Sequence, residues 1–163
     1  MSGAPRRQSI IAVCGAGRCD AAQAAEAEAV GRGIAQAGAA LVCGGLGGVM
    51  AAACRGARLA GGLTIGILPG ADPRAANPDV LISIATGMGH ARNTIIVQTA
   101  DAVIAIGGEY GTLSEIALAR KVGRAVIGLG TWALGQDAMG QPYLLAVQTP
   151  EEAVAAALAQ CRD

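Results

Sequence analysis

Asp101–Leu129 reads DAVIAIGGEYGTLSEIALARKVGRAVIGL. Its apolar run Ala102–Ile106 is too short for a helix and contains β-branched residues, the pattern of a strand buried on both faces. Gly107, Gly108 and Gly111 crowd the turn that follows. Thr112 to Lys121 runs at helical spacing, with Leu113, Ile116, Ala117 and Arg120 in register, before Gly123 stops it and Ala125–Leu129 begins a new strand. A strand, a glycine turn and a helix bring backbone N–H groups and the positive end of a helix to the carboxyl edge of a parallel sheet, which suits an anion such as phosphate.

The same alternation extends outward. Ser9–Cys14 reads as a strand ending in the turn Gly15-Ala-Gly17-Arg18, and Asp20 caps an alanine-rich helix that ends near Ala37 with Gly38 as its stop. A second strand, Ala39–Cys43, runs into Gly44-Gly45-Leu-Gly-Gly48 and a helix over Val49–Ala60. Leu63–Leu68 and Val80–Ile84 are further strands, separated by the turn-rich loop Pro69–Pro78. Met88 to about Thr99 is expected to be helical, and Gly130–Gln148 shows no clear period. Thr149, Pro150 and Glu152 open a last helix as cap, first residue and capping-box partner. The expectation is an α/β fold: one Rossmann-like domain over residues 1–163, a doubly wound parallel sheet with helices on both faces. Its three glycine turns should converge where strand order reverses, the place such sheets bind ligands.

Composition narrows the partners. Twelve basic and twelve acidic residues cancel, which leaves no electrostatic footprint for nucleic acid or an anionic membrane. The chain carries one tryptophan, two tyrosines and no phenylalanine, too few aromatic rings for a single-strand binding surface. Five cysteines without a C-x-x-C pair, and one histidine, His90, give poor material for a metal site or a disulfide framework, so no metal is expected. The polar start MSGAPRRQS reads neither as a signal peptide nor as a span, and free thiols fit a cytoplasmic protein. A nicotinamide dehydrogenase fits badly: Asp20 stands where the fingerprint needs a third glycine, and the second strand ends in Cys43-Gly44 without an acidic residue. The P-loop pattern is absent, and Lys121, the single lysine, lies at the far end of a helix.

Glu115 has two readings. In one, Thr112-Leu-Ser-Glu115 is a capping box, with Thr112 the cap and Glu115 reaching back to its N–H. In the other it is a chemical group beside the anion site. His90 is either a first-turn helix residue or a site residue, and Arg18 either a phosphate contact or a solvated loop residue. Arg92 opens an otherwise apolar helix (Thr94-Ile-Ile-Val), which favours a place in the site. The run Ile95–Val97 is either buried under the sheet or pressed against a partner chain.

Three segments together, Gly44-Gly-Leu-Gly-Gly-Val-Met50, Gly89-His-Ala-Arg-Asn93 and Gly107-Gly-Glu-Tyr-Gly-Thr-Leu-Ser-Glu115, resemble the LOG-like superfamily. That superfamily has a Rossmann-type fold and includes nucleoside 5′-monophosphate phosphoribohydrolases and molybdenum cofactor carrier proteins. Its members were often labelled lysine decarboxylases. The resemblance spans about Ser9 to Leu129 and is closest to the carrier-like branch. The glycine turns and the resemblance together point to phosphate or nucleotide binding by Gly15, Gly17, Arg18, Gly44, Gly45, Gly48, Met50, Gly107, Gly108, Gly111 and Thr112, of which Gly15, Gly17 and Arg18 belong to the first turn and lie outside the three matched segments. By match to the hydrolase motifs, Arg92 and Glu115 would be the catalytic pair. Asn93 stands where those motifs have lysine, Gly107 where they have proline and Glu109 where they have a second glycine. The implied function is binding of a phosphorylated nucleotide-like molecule, with hydrolysis of its N-glycosidic bond through Arg92 and Glu115. The alternative is a non-catalytic carrier of molybdenum cofactor or a related phosphorylated ligand. No cofactor is required in either case; a nucleoside monophosphate, phosphate or molybdenum cofactor would be the bound molecule. The resemblance further implies a homo-oligomer, a dimer or a tetramer, with its interface against the Arg92 helix. Sedimentation at micromolar concentration checks that expectation.

Overall fold

In the computed structural model, which describes residues 7–161, the run Ala102–Ile106 forms strand β5, and all five of its residues are buried. It pairs in parallel with β1 (Ile10–Gly15) on one side and β6 (Ala125–Leu129) on the other. Beyond β1 lie β2 (Ala40–Cys43), β3 (Thr64–Leu68) and β4 (Ile82–Ala85). Beyond β6 lies β7 (Leu145–Val147). The sheet order is β4-β3-β2-β1-β5-β6-β7, with every pairing parallel. Strand order therefore reverses between β1 and β5. Register there aligns Gly15 with Ile106, so the first and third glycine turns leave the sheet side by side.

Crossovers cover both faces. α1 (Ala21–Gln36), α2 (Val49–Leu59) and α5 (Pro150–Leu158) pack on one face over Ile11, Val13, Leu41 and Ile104. α3 (Asn93–Thr99) and α4 (Tyr110–Lys121) pack on the other over Ala12, Cys14, Val42 and Val103. Small residues permit very close approach on the first face. A Cβ on Gly31 would lie 1.9 Å from the Ala53 carbonyl oxygen, and one on Gly56 would lie 1.9 Å from that of Glu28, so the α1 and α2 backbones touch directly. None of the described helices is long and apolar enough to cross a membrane.

Most expected elements form, and the differences have local causes. α1 begins as expected at the Asp20 cap, which accepts from the Gln23 N–H at 2.8 Å. α4 starts two residues early, at Tyr110, with Glu109 as its cap. Thr112 therefore lies inside the helix and caps nothing, so the capping-box reading of Glu115 is overturned. The helix expected over Met88–Thr99 divides into a 3-10 turn, Gly89–Arg92, and the short α3. The fourth strand starts at Ile82, later than Val80, because Thr64 Oγ1 donates to the Asp79 carbonyl at 2.6 Å and accepts from Leu81 N at 2.9 Å. Those bonds turn residues 79–80 aside, and Leu81 N–H begins the approach by donating to the Thr64 carbonyl at 3.1 Å. The unpatterned tail supplies β7, a three-residue edge strand too short to carry a period. Thr149 caps α5, but the Glu152 carboxylate accepts from Gln148 N–H at 2.8 Å, one residue before the cap.

Ile96 and Val97 are fully buried in the chain's own core, which settles the apolar run of α3 as core. Among the described residues, a run of exposed apolar side chains lies on and beside edge strand β4, at Leu81, Ile82, Ile84 and Met88, and others stand apart at Leu59, Met139 and Leu145.

Candidate functional site

The three glycine turns meet in a cleft of about 190 Å³ at the carboxyl edge of the sheet. The first turn contributes Gly15, Ala16 and Gly17; the second contributes Leu46, with Met50 from the first turn of α2. His90, Arg92 and Asn93 enter from the 3-10 turn and the start of α3. Glu109, Gly111, Thr112 and Glu115 come from the third turn and α4. The first intrahelical bond closing α4 runs from Leu113 N to the Glu109 carbonyl. The N–H groups of residues 110–112 precede it and have no partner inside the helix, so the helix presents its positive end where Gly111 and Thr112 line the cleft.

Arg92 is 8% exposed although it is a full charge. Its Nη1 donates to Asn93 Oδ1, and its Nη2 reaches the Gly44 carbonyl at 3.5 Å, the outer limit of a hydrogen bond. Its buried Nε has no partner among the described residues. A buried guanidinium with donors to spare is costly alone and is relieved by an anionic ligand. Glu115 is likewise buried, 7% exposed. Burial pushes its carboxyl up to about 7, against the opposing pull of Arg92 and of a hydrogen bond from Cys14. Cys14, under the cleft on β1, is pushed well up by burial first and by the neighbouring carboxylate second. No direct ion pair joins Arg92 and Glu115: the described pairs are Arg7–Asp101, Arg32–Glu28, Arg55–Glu28 and Arg74–Asp72.

Of the residues singled out from sequence, Gly15, Gly17, Met50, His90, Arg92, Gly111, Thr112 and Glu115 line the cleft. Arg18 is exposed and does not line it. Gly44, Gly45, Gly48, Gly107 and Gly108 do not line it either; they hold its walls together. A Cβ on Gly44 would lie 2.7 Å from Arg92 Nη2 and 2.8 Å from Met50 Sδ. Gly48, at φ +61°, backs onto the first turn, where a Cβ would lie 2.2 Å from the Ala16 carbonyl oxygen. Gly45, Gly107 and Gly108 back onto Leu68, Gln23 and Thr112 in the same way. Cys43 sits below the second turn, its Sγ accepting from Gly45 N at 3.3 Å and lying 3.5 Å from Cys54 Sγ. Sequence reasoning missed the part Asn93 plays in holding Arg92; adjacency to the arginine was the available signal. Ala16 and Leu46 carry no chemical mark and were not findable.

A doubly wound parallel sheet with glycine turns and a buried Arg/Glu set at its switch point defines a Rossmann-like protein. Within that class the chain belongs to the SLOG cluster4 family of the LOG-like superfamily, whose profile matches residues 8–154. It is 46% identical over 144 residues to an uncharacterized protein of Archaeoglobus fulgidus, covering 88% of this chain and 91% of that one. Among solved structures it resembles the molybdenum cofactor binding protein of Rippkaea orientalis at 37% identity, covering 95% of this chain and 98% of that one with a TM-score of 0.85. It also resembles the molybdenum cofactor carrier protein of Chlamydomonas reinhardtii, at 34% identity, 94% and 98% coverage and a TM-score of 0.84.

Proposed function

We propose that this protein is a non-catalytic carrier of molybdenum cofactor or a closely related phosphorylated pterin, gripping the phosphate in the cleft between the glycine turns. The observation that supports this most is the buried Arg92, whose donors are incompletely used and which lines one small cleft with Gly111 and Thr112 of the first turn of α4. Likeness over nearly the whole chain to proteins described as molybdenum cofactor binding and carrier proteins narrows the class of ligand. Arg92 offers charge and directed N–H groups; the first turn of α4 offers backbone donors. Glu115, whose carboxyl burial raises to about 7, adds a hydroxyl donor in its protonated form, the form that does not repel the anion. The test is gel filtration of the protein mixed with molybdenum cofactor released from a molybdoenzyme. Pterin should co-elute with the protein, and Arg92→Gln should remove most of it; equal retention by that variant would overturn the reading.

One observation favours a second reading. Glu115 is poised near 7 in the same cleft as Arg92, which suits acid–base work on an N-glycosidic bond. Nucleoside 5′-monophosphates incubated with the protein would then give free base and ribose 5-phosphate, and Glu115→Gln would abolish that release. Absence of base release, with pterin retained, leaves the carrier.

A further inference from the structure

A second and larger hollow opens at the carboxyl ends of β6 and β7. It measures about 480 Å³, within the range of small-molecule sites. Leu134, Leu144 and Val147 give it apolar patches beside about as much polar surface, and Glu26 of α1 is the one charged side chain lining it. Glu28, two residues further along, is held by Arg32 at 3.2 Å and Arg55 at 2.8 Å. Glu26 has no such cation among the described residues.

The aromatic side chains single out the same place. Of only three in the chain, one lines the hollow and a second stands beside that one. Trp132 lines the hollow, and the Tyr110 ring lies 5.9 Å from it at 36°. Tyr110 is 82% exposed, so the protein's own packing makes little use of it. The rim is also fixed to the phosphate cleft. Trp132 Nε1 donates to the Glu109 carbonyl at 3.3 Å, and Thr131 Oγ1 donates to that of Gly107 at 2.5 Å. Gln23, one helical turn before Glu26, packs against Gly107 from the other side.

We propose that this hollow binds a flat heterocycle whose edge carries adjacent ring N–H and amino N–H donors, the edge shared by 2-amino-4-oxo pterins and guanine. Trp132 is the stacking face, and Glu26 is the acceptor for that edge. An ionised carboxylate is acceptor-only and matches two parallel donors with two charge-assisted hydrogen bonds. Adenine presents a donor beside a ring acceptor, and that lone pair would face the carboxylate unfavourably. The choice of pterin among such heterocycles rests on the carrier reading; the hollow's preference for the donor edge does not.

Calorimetric titration of the whole protein with pterin, guanosine and adenosine tests this, and the emission of the chain's single tryptophan reports where the nucleosides bind. Pterin or guanosine should bind at least about tenfold more tightly than adenosine. Glu26→Gln should cut that preference to about threefold or less without changing the melting temperature, and Trp132→Leu should weaken all three. Binding of pterin with exclusion of guanosine would identify a pterin site; binding of both would identify the shared edge as what is read. Equal affinity for adenosine, or a preference that survives Glu26→Gln, overturns the proposal. A separate titration with inorganic phosphate reads the cleft. Phosphate binding without heterocycle preference overturns the hollow and leaves the carrier reading standing, and the converse result reverses the two.

Discussion

The two hollows at the carboxyl edge of the sheet differ in how they treat charge. The cleft between the glycine turns is small, about 190 Å³, and holds a guanidinium and a carboxyl that are both more than nine-tenths buried. The hollow beside β7 is about 480 Å³, with walls of mixed polar and apolar surface, Trp132 in its lining and a single carboxylate on a partly buried helix face. Desolvated charges interact strongly and tolerate little change, whereas a partly solvated one gives selectivity at lower stakes. The cleft should therefore govern both stability and anion grip, and the hollow mainly the choice of ring.

The largest expected effect breaks the cleft alone. Gly48→Ala places a Cβ 2.2 Å from the Ala16 carbonyl oxygen at a φ of +61°. Strain and overpacking together should cost about 3 kcal/mol or more. A urea denaturation midpoint checks it. Phosphate binding should be lost while the response of Trp132 to guanosine survives, because β6 and β7 lie on the other side of the reversal. A loss below about 1 kcal/mol would mean that the first and second turns can slide apart.

Glu115→Gln should have a smaller, pH-dependent effect. Burial raises Glu115 to about 7 from an ordinary 4.5. The folded protein then keeps this proton over a range in which the unfolded chain has released it. The stability due to the neutral carboxyl is complete below about 4.5 and is lost as pH rises through about 7, at about 1.4 kcal/mol per pH unit and about 3 kcal/mol in all. Thermal melts from pH 5 to 8 should show this slope in the wild type and a flatter one in the variant. Sulfate, whose own charge does not change over this range, should bind more weakly above pH 7 in the wild type only. Identical slopes would mean that the Arg92 charge outweighs burial and keeps Glu115 ionised throughout.

The same contrast explains what the sequence made legible. The cleft could be read because its parts are local: each glycine turn ends a strand in an apolar run, and Arg92 is the lone charge opening an apolar segment. Its inner division could not be read. Gly17 and Gly48 look alike in sequence, yet one faces open space and the other meets a carbonyl, and that difference is set by how α2 crosses the end of β1. The fate of Glu115 was ambiguous for a related reason. Thr112 and Glu115 have capping-box spacing, but the helix began at Tyr110 and carried both into its buried face. The hollow was invisible because its walls come from an edge strand of three residues, an aperiodic loop and one glutamate on a partly buried face of an alanine-rich helix.

Gly17→Ala should have the smallest effect and gives the sharpest contrast with Gly48. A Cβ at Gly17 meets nothing within 4 Å, so stability should stay within about 0.5 kcal/mol of the wild type. Gly17 does line the cleft, and a methyl group there narrows the approach of a phosphate to the first-turn backbone. Phosphate affinity should fall by about threefold, equivalent to about 0.6 kcal/mol, with guanosine binding at the hollow unchanged. Calorimetry on the two ligands separates these effects. An unchanged phosphate affinity would show that the first turn serves only as the abutment for α2, through the Val49 N–H bond to the Ala16 carbonyl. The anion would then be held by Arg92 and the start of α4 alone.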